Sequence, residues 1–208
     1  LICIPSGNHD MDRLARSLSP EEMKIAFAFL LSMPGAPFIY YGDEIGLRYV
    51  EGLTSVEGGY GRTGSRSPMQ WDKTPNAGFS CAPAEKLYVR QDDAPDRPDA
   101  ASQCADEASL RSEVKRLIAL RMAHPALQSK GTVSFLADNY PLAYVRSSAE
   151  ESILVIINPS ASPAVLSAEE LCALKKELLY TVGGTVKENA DHALQVDGGT
   201  AAFISLTK

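Results

Sequence analysis

Two apolar runs on either side of one well-punctuated helix constrain this chain more than any other feature. Leu1-Ile2-Cys3-Ile4-Pro5 is apolar on consecutive positions and stops at Ser6-Gly7-Asn8. Phe38-Ile39-Tyr40-Tyr41 is apolar in the same way and closes at Gly42-Asp43-Glu44. Between them, Ser19-Pro20-Glu21-Glu22 opens a helix, with Ser19 at the N-cap, Pro20 in the first turn and Glu22 completing a capping box. The pattern predicts a helix to about Met33, with Met23, Phe27, Leu30 and Leu31 buried, ended by Pro34-Gly35-Ala36-Pro37. Strands that are apolar throughout, rather than alternating, belong to a parallel sheet covered on both faces. The order strand, helix, strand reads as a βαβ unit of an α/β protein.

Residues 48–106 are rich in Gly, Pro, Asp, Arg and Ser and show little periodicity. A long segment of this kind inside a compact protein is expected to be an active-site loop or lid. A second helix follows. Leu110, Val114, Leu117, Ile118 and Arg121 fall on one stripe, and His124-Pro125 marks its end. From Gly131 the pattern becomes β-rich. Runs at 132–137, 142–147, 153–158, 178–182, 192–196 and 201–206 are separated by turn residues such as Gly183-Gly184 and Gly198-Gly199. Residues 167–176 form a short helix or a long connection. The fold class is therefore α/β plus all-β: an α/β part over residues 1–130, with its long loop at 48–106, and an antiparallel β-sandwich over 131–208.

Composition narrows the partners. There are 20 Lys and Arg against 26 Asp and Glu, for a net charge of −6. That balance argues against nucleic acid, which wants a basic surface. The longest apolar run, near 25–33, is about half the ~20 residues that a membrane-spanning helix needs. Cys3, Cys81, Cys104 and Cys172 form no C-x-x-C pair and read as free thiols of a cytoplasmic protein. The chain opens inside a strand with no initiator Met, and is expected to be a piece of a longer protein.

Two groups of chemistry-bearing residues stand just past the two strands: Asn8-His9-Asp10 with Arg13, and Asp43-Glu44. In α/β folds function gathers at that edge of the sheet. A carboxylate there can cap a helix, stabilise a cationic transition state or ligate a metal, and residue types alone leave all three open. The acidic stretch with Asp92, Asp93, Asp96 and Asp99 lacks EF-hand spacing and is interrupted by prolines, so no metal is assigned to it.

Five motifs in series resemble the alpha-amylase family of glycoside hydrolases, in particular its alpha-glucosidase-like members. They are Asn8-His9-Asp10-Met11-Asp12-Arg13, the run from Met33 to Gly46, and Arg66-Ser67-Pro68-Met69-Gln70-Trp71-Asp72 followed by Asn76-Ala77-Gly78-Phe79-Ser80. The helix ending Leu117-Ile118-Ala119-Leu120-Arg121 before His124-Pro125-Ala126-Leu127 is the fourth. The strands Leu142-Ala143-Tyr144-Val145-Arg146 and Leu154-Val155-Ile156-Ile157-Asn158 are the fifth. The resemblance covers nearly the whole chain. It implies the last βαβα portion of a TIM (β/α)8 barrel followed by a C-terminal β-sandwich.

The same resemblance implies roles. Asp10 matches a carboxylate that stabilises the transition state by binding sugar hydroxyls. His9, Asn8 and Arg13 match substrate-binding neighbours. Arg66, Gln70 and Trp71 match a loop lining the substrate entrance, although a lone Trp also suits a core. Tyr40, Tyr41, Asp43 and Glu44 match a strand end with a structural role. A retaining glycosidase needs a nucleophile and an acid about 5 Å apart, and in this family both precede the Asp10 motif, so the chain alone is expected to be inactive. No cofactor and no metal are implied, and the substrate class is an α-glucan or malto-oligosaccharide. Two strands taken from a barrel leave an unpaired edge, so the isolated chain is expected to self-associate.

Two other readings compete. Gly7-Asn8-His9-Asp10 resembles the metal-binding turn of calcineurin-like metallophosphoesterases. Only His9, His124 and His192 are present, however, and no H-x-H or G-D-x-x-D accompanies them. A non-catalytic carbohydrate-binding or assembly module would rest on the all-β half. Its exposed aromatics would have to lie on one face: Tyr140, Tyr144, Tyr180 and Phe203 are available, but alternation puts Tyr144 and Phe203 in the core.

Overall fold

The structure is a computed structural model that describes residues 2–137 and 139–208. The chain divides into two compact units. One consists of Leu1–Ile4, Lys24–Pro37 and Arg116–Lys208, the other of Pro5–Met23 and Phe38–Lys115.

Strands β1 (Cys3–Pro5) and β2 (Ala36–Phe38) form a two-stranded sheet. The Ala36 N–H donates to the Ile2 carbonyl and the Ser6 N–H to the Phe38 carbonyl. Both partners advance together along the chain, so the strands run parallel. Helix α1 (Pro20–Ser32) connects them in sequence. Its capping box forms: Ser19 Oγ accepts the Glu22 N–H at 3.3 Å, and the Glu22 carboxylate accepts the Ser19 N–H at 2.8 Å. Met23, Phe27, Leu30 and Leu31 are all buried. The βαβ order read from the sequence is present.

Two details differ from the sequence reading. The second strand ends at Phe38 rather than Tyr41, because the Tyr40 N–H goes to Ser6 Oγ at 3.0 Å and leaves the ladder without a donor. The strands are also not covered on both faces. Ile2 and Phe38 are 73% and 56% exposed, and among the described residues no third strand joins this sheet.

Residues 48–106 hold more regular structure than their composition implies. They contain 3-10 turns at Thr63–Arg66, Pro75–Gly78 and Ala84–Lys86, and the helix α2 (Ala100–Ala105). Asp99 caps α2 by accepting the Ser102 N–H at 2.7 Å. At six residues α2 is too short to show a helical period. Helix α3 (Leu110–Ala123) follows the expected stripe through Leu110, Val114, Leu117 and Arg121, all buried. Ile118 is instead partly exposed at the stripe's edge.

The all-β region contains two antiparallel sheets. The larger has the order β3 (Thr132–Ala137), β4 (Leu142–Ser147), β5 (Ser152–Asn158), β10 (Thr200–Thr207), β7 (Lys175–Val182). The smaller has the order β6 (Ala164–Leu166), β9 (Leu194–Val196), β8 (Val186–Glu188), and the short helix α4 (Glu169–Cys172) follows β6 in the chain. Strands β6 and β8 are absent from the sequence reading because three residues cannot display an alternation. Ala143, Leu154 and Ile156 of the larger sheet pack with Leu166, Leu194 and Val196 of the smaller one, and Leu171 joins them. The opposite face of β4 carries Tyr144 and Arg146, both fully buried. The Tyr144 hydroxyl meets Ser32 Oγ at 2.5 Å, and burial pushes its phenol up to about 12. Tyr144 and Phe203 are in the core, as expected from alternation, and Tyr140 is exposed.

Candidate functional site

The turn after β1 presents Asn8, His9 and Asp10. Asn8 Oδ1 accepts the Asp10 N–H at 2.8 Å, which fixes the backbone of the turn. The Asp10 side chain stays 46% exposed. Its Oδ1 receives Arg66 Nη2 at 2.8 Å and Arg62 Nε at 3.2 Å. Its Oδ2 faces His9 Nε2 at 3.5 Å. Arg66 Nε also donates to the His9 carbonyl at 3.0 Å, so one guanidinium grips two consecutive residues of the turn. An ionised carboxylate has about four acceptor positions. Here Oδ1 is occupied by two cations, and Oδ2 retains capacity toward solvent.

Beneath this surface lies a buried ionic layer. Gly42, at φ 84°, turns the chain after β2, and a Cβ there would meet Leu47 Cβ at 2.8 Å. That turn sets Asp43 in place, where its Oδ1 accepts Arg13 Nη1 at 3.1 Å and its Oδ2 accepts the Ser6 hydroxyl at 2.6 Å. The Arg13 guanidinium lies 4.2 Å from the Tyr40 ring centroid and 4.6 Å from that of Tyr41, and it donates to the Tyr41 carbonyl. Arg13 and Asp43 are both almost wholly buried. Tyr40 donates to the Ser65 carbonyl at 3.3 Å and Tyr41 to the Ser67 carbonyl at 2.8 Å. The strand-end tyrosines therefore hold the segment that carries Arg66. Burial is the main cause pushing the Tyr40 phenol up to about 12, and it also raises the Glu44 carboxyl above its ordinary value.

The sequence-predicted residues fall into three groups. Asn8, His9, Asp10 and Arg66 come together at the surface. Arg13 sits in the layer below, closed off from solvent, where it braces the turn. Gln70 is buried and Trp71 is 52% exposed, so Trp71 is no core residue. Their backbone is fixed by α2: the Gln70 carbonyl accepts from Ala100 at 3.0 Å and the Trp71 carbonyl from Ala101 at 2.9 Å. Among the described residues, no hydrogen bond or ion pair joins Gln70 or Trp71 to Asp10. Arg62, which binds Asp10, is missing from the sequence reading. The available signal was its place four residues before Arg66, across the 3-10 turn Thr63–Arg66.

Residues 3–130 match the alpha-amylase family by its catalytic domain (Alpha amylase, catalytic domain). This chain belongs to the alpha-amylase family. Trehalose synthase/amylase TreS of Mycobacterium tuberculosis (strain ATCC 25618 / H37Rv) is 36% identical over 162 residues, or 73% of this chain and 26% of that protein. A probable alpha-glucosidase of Rhizobium meliloti (strain 1021) is 30% identical over 221 residues, or 98% of this chain and 39% of that protein. Amino acid transporter heavy chain SLC3A1 of Rattus norvegicus is 30% identical over 176 residues, or 79% of this chain and 24% of that protein. In fold, the trehalulose synthase MutB from Pseudomonas mesoacidophila MX-45 matches with a TM-score of 0.81 at 24% identity, over 99% of this chain and 43% of that one. The chain thus spans between 24% and 43% of the length of these proteins.

The acidic segment past residue 90 has ordinary duties. Arg48 Nε binds Asp92 at 3.0 Å and its Nη2 binds Asp96 at 3.2 Å, while Asp99 caps α2. His124 Nδ1 lies 2.8 Å from Glu151 and His192 Nδ1 lies 3.1 Å from Glu188. The four cysteines are free and exposed.

Proposed function

We propose that this chain is the C-terminal part of a retaining α-glycosidase acting on the α-glucosidic bonds of starch-derived oligosaccharides. In this reading residues 1–130 are the last βαβα portion of the (β/α)8 barrel, with 48–106 as its active-site loop. Residues 131–208 are the β-sandwich that follows the barrel. The observation that carries the reading is the half-exposed Asp10, held past the end of a parallel strand with one oxygen saturated by Arg62 and Arg66. A carboxylate locked in one orientation, with its second oxygen open, can accept sugar hydroxyls and favour the distorted ring of an oxocarbenium-like transition state. His9 and Arg66 supply donors beside it. The exposed Trp71 offers a ring face at the entrance.

Asp43 and Glu44 do not supply the missing nucleophile and acid. Asp43 is committed to Arg13 and Ser6, so even with the Glu44 carboxyl raised by burial, as would suit an acid, this pair offers no free carboxylate to act as nucleophile. The isolated chain is therefore inactive, and the earlier part of the barrel provides both groups. The test is turnover of maltotriose and p-nitrophenyl α-glucoside. It compares the isolated chain, the product of the full reading frame, and that product with Asp10→Asn. The isolated chain should show no turnover, and Asp10→Asn should lower kcat by roughly 10²–10³-fold with an unchanged circular dichroism spectrum. Equal kcat in the wild type and Asp10→Asn, or turnover by the isolated chain, would overturn the proposal.

A second reading, an assembly module without catalysis, is favoured by one observation. The rat relative is named as the heavy chain of an amino acid transporter. A correctly folded full-length product with no activity on any α-glucoside would select it.

A further inference from the structure

We propose that Ser65 is a positioning residue: its hydroxyl holds Arg66 in register with Asp10, and it acts on the reaction only through Asp10. The catalytic half of this role rests on the function proposed above.

Ser65 is fully buried in the 3-10 turn Thr63–Arg66, directly before Arg66. Each of its polar groups has a partner. Its N–H donates to the Arg62 carbonyl at 3.1 Å, the i to i+3 bond of the turn. Its carbonyl accepts the Tyr40 hydroxyl at 3.3 Å. Its own hydroxyl donates to the Met11 carbonyl, 54 residues away in the chain. The turn that presents Ser65 is braced. The Gly64 carbonyl accepts the Val50 N–H at 3.1 Å, and Thr63 Oγ1 accepts the Tyr60 N–H at 3.0 Å. Gly64 has no room for a side chain, since a Cβ would lie 2.3 Å from the Val50 carbonyl oxygen.

These bonds close a ring around the segment that bears Asp10. At its start, Ser6 Oγ accepts the Tyr40 N–H at 3.0 Å. Tyr40 reaches Ser65 through its hydroxyl, and Ser65 returns to Met11 at the segment's end. Asn8, His9 and Asp10 lie between the two anchored ends. Tyr40 meets only the Ser65 backbone, so that link survives any change of the Ser65 side chain. The Met11 link is the hydroxyl's alone.

Arg66 needs this anchor. Its Nε donates to the His9 carbonyl at 3.0 Å and its Nη2 to Asp10 Oδ1 at 2.8 Å. A planar guanidinium meets two acceptors at once only when its stem starts from a fixed place. Ser65 supplies that place, because it ties the residue before Arg66 to the residue after Asp10. Arg62 is referenced to the same point through the Ser65 N–H, so both cations on Asp10 Oδ1 take their position from Ser65.

The test has two arms. In the 208-residue chain, hydrogen exchange of the Arg66 Nε–H is followed by NMR in the wild type and in Ser65→Ala. Loss of one buried hydrogen bond should speed that exchange about tenfold, while the capped Ser102 amide of α2 stays as in the wild type. In the product of the full reading frame, Ser65→Ala should lower kcat about tenfold on p-nitrophenyl α-glucoside at an unchanged KM. In an Asp10→Asn background the same change should cost nothing further, since a residue acting through Asp10 has no effect once that carboxylate is gone. Arg66 exchange unchanged in Ser65→Ala, or quickened by the same factor as the Ser102 amide, would overturn the proposal. Full additivity of Ser65→Ala and Asp10→Asn would overturn it as well. Selective quickening at Arg66 in a protein whose full-length product is inactive on α-glucosides would uphold Ser65 as the anchor of Arg66 and remove the catalytic reading of Asp10.

Discussion

Arg146 is a fully buried cation with no carboxylate among its hydrogen-bond partners, and replacing it tests how the unit containing the β-sheets is held together. Its Nε donates to the Thr132 carbonyl at 2.9 Å. Nη2 donates to the carbonyls of Gln128 at 2.8 Å and Gly131 at 3.2 Å, and Nη1 to those of Ser32 and Leu127. Gly131 lacks a side chain for a related reason: a Cβ there would lie 2.9 Å from Arg146 Nη2 and 2.0 Å from the Ala126 carbonyl oxygen. Burial pushes the guanidinium down to about 10, so it is still charged at neutral pH. One side chain therefore satisfies five carbonyls. Arg146→Met keeps the apolar stem and removes every donor. Each buried carbonyl left without a partner costs about 1–3 kcal/mol. Relief of the cation's own desolvation and local relaxation offset part of that sum. The expected net loss is about 3–5 kcal/mol, comparable to breaking a buried ion pair. Arg146→Lys should recover part of it, because an ammonium reaches fewer of the five. The assay is urea unfolding together with hydrogen exchange at the β5 amides. If Arg146→Met lies within about 1 kcal/mol of the wild type, the carbonyl-satisfaction argument fails.

Tyr40 and Tyr144 should remain protonated at pH 11 in a spectrophotometric titration, since both phenols are pushed up to about 12. A folded-state value above the unfolded one means a contribution fully present below pH 10 and lost as pH rises toward 12, so alkaline destabilisation should be shallower in Tyr144→Phe than in the wild type. The exposed Ile2 and Phe38 on a two-stranded sheet predict self-association of the isolated chain. Light scattering at micromolar concentration should give a mass above that of the monomer, and a clean monomer peak would refute this.

Local signals carried the fold well and the site only in part. The capping box at Ser19 and Glu22 and the apolar spacing of α1 are written within a few residues, and both appear as read. Strands β3 and β4 match the expected bounds because each is a run of β-favouring residues bounded by turn residues. Strands β6 and β8 are defined by their pairing to β9 rather than by their own three residues, so no local pattern announces them. The site divides along the same line. Asn8, His9 and Asp10 were legible because a turn after a strand concentrates polar side chains within three positions. The arrangement that gives Asp10 its chemistry was not, since Arg66 lies 56 residues away in a glycine-rich loop without periodicity.

Arg13 shows how the two levels interact. The resemblance of its motif to the family implies a partner for substrate. Its surroundings are set by Tyr40, Tyr41 and Asp43, about thirty residues on, and those bury it. A buried guanidinium between two rings and a carboxylate is rigid, and Asp43 passes that rigidity to Ser6, whose Oγ accepts the Tyr40 N–H. The turn that bears Asp10 is thus clamped from below by Arg13 and from the side by Arg66. A carboxylate meant to recognise a transition state gains from such clamping, because misplacement by about 1 Å can cost on the order of 100-fold in rate. Arg13, which the resemblance made a substrate contact, is buried and helps to hold Asp10, which in the function proposed above would meet the sugar ring.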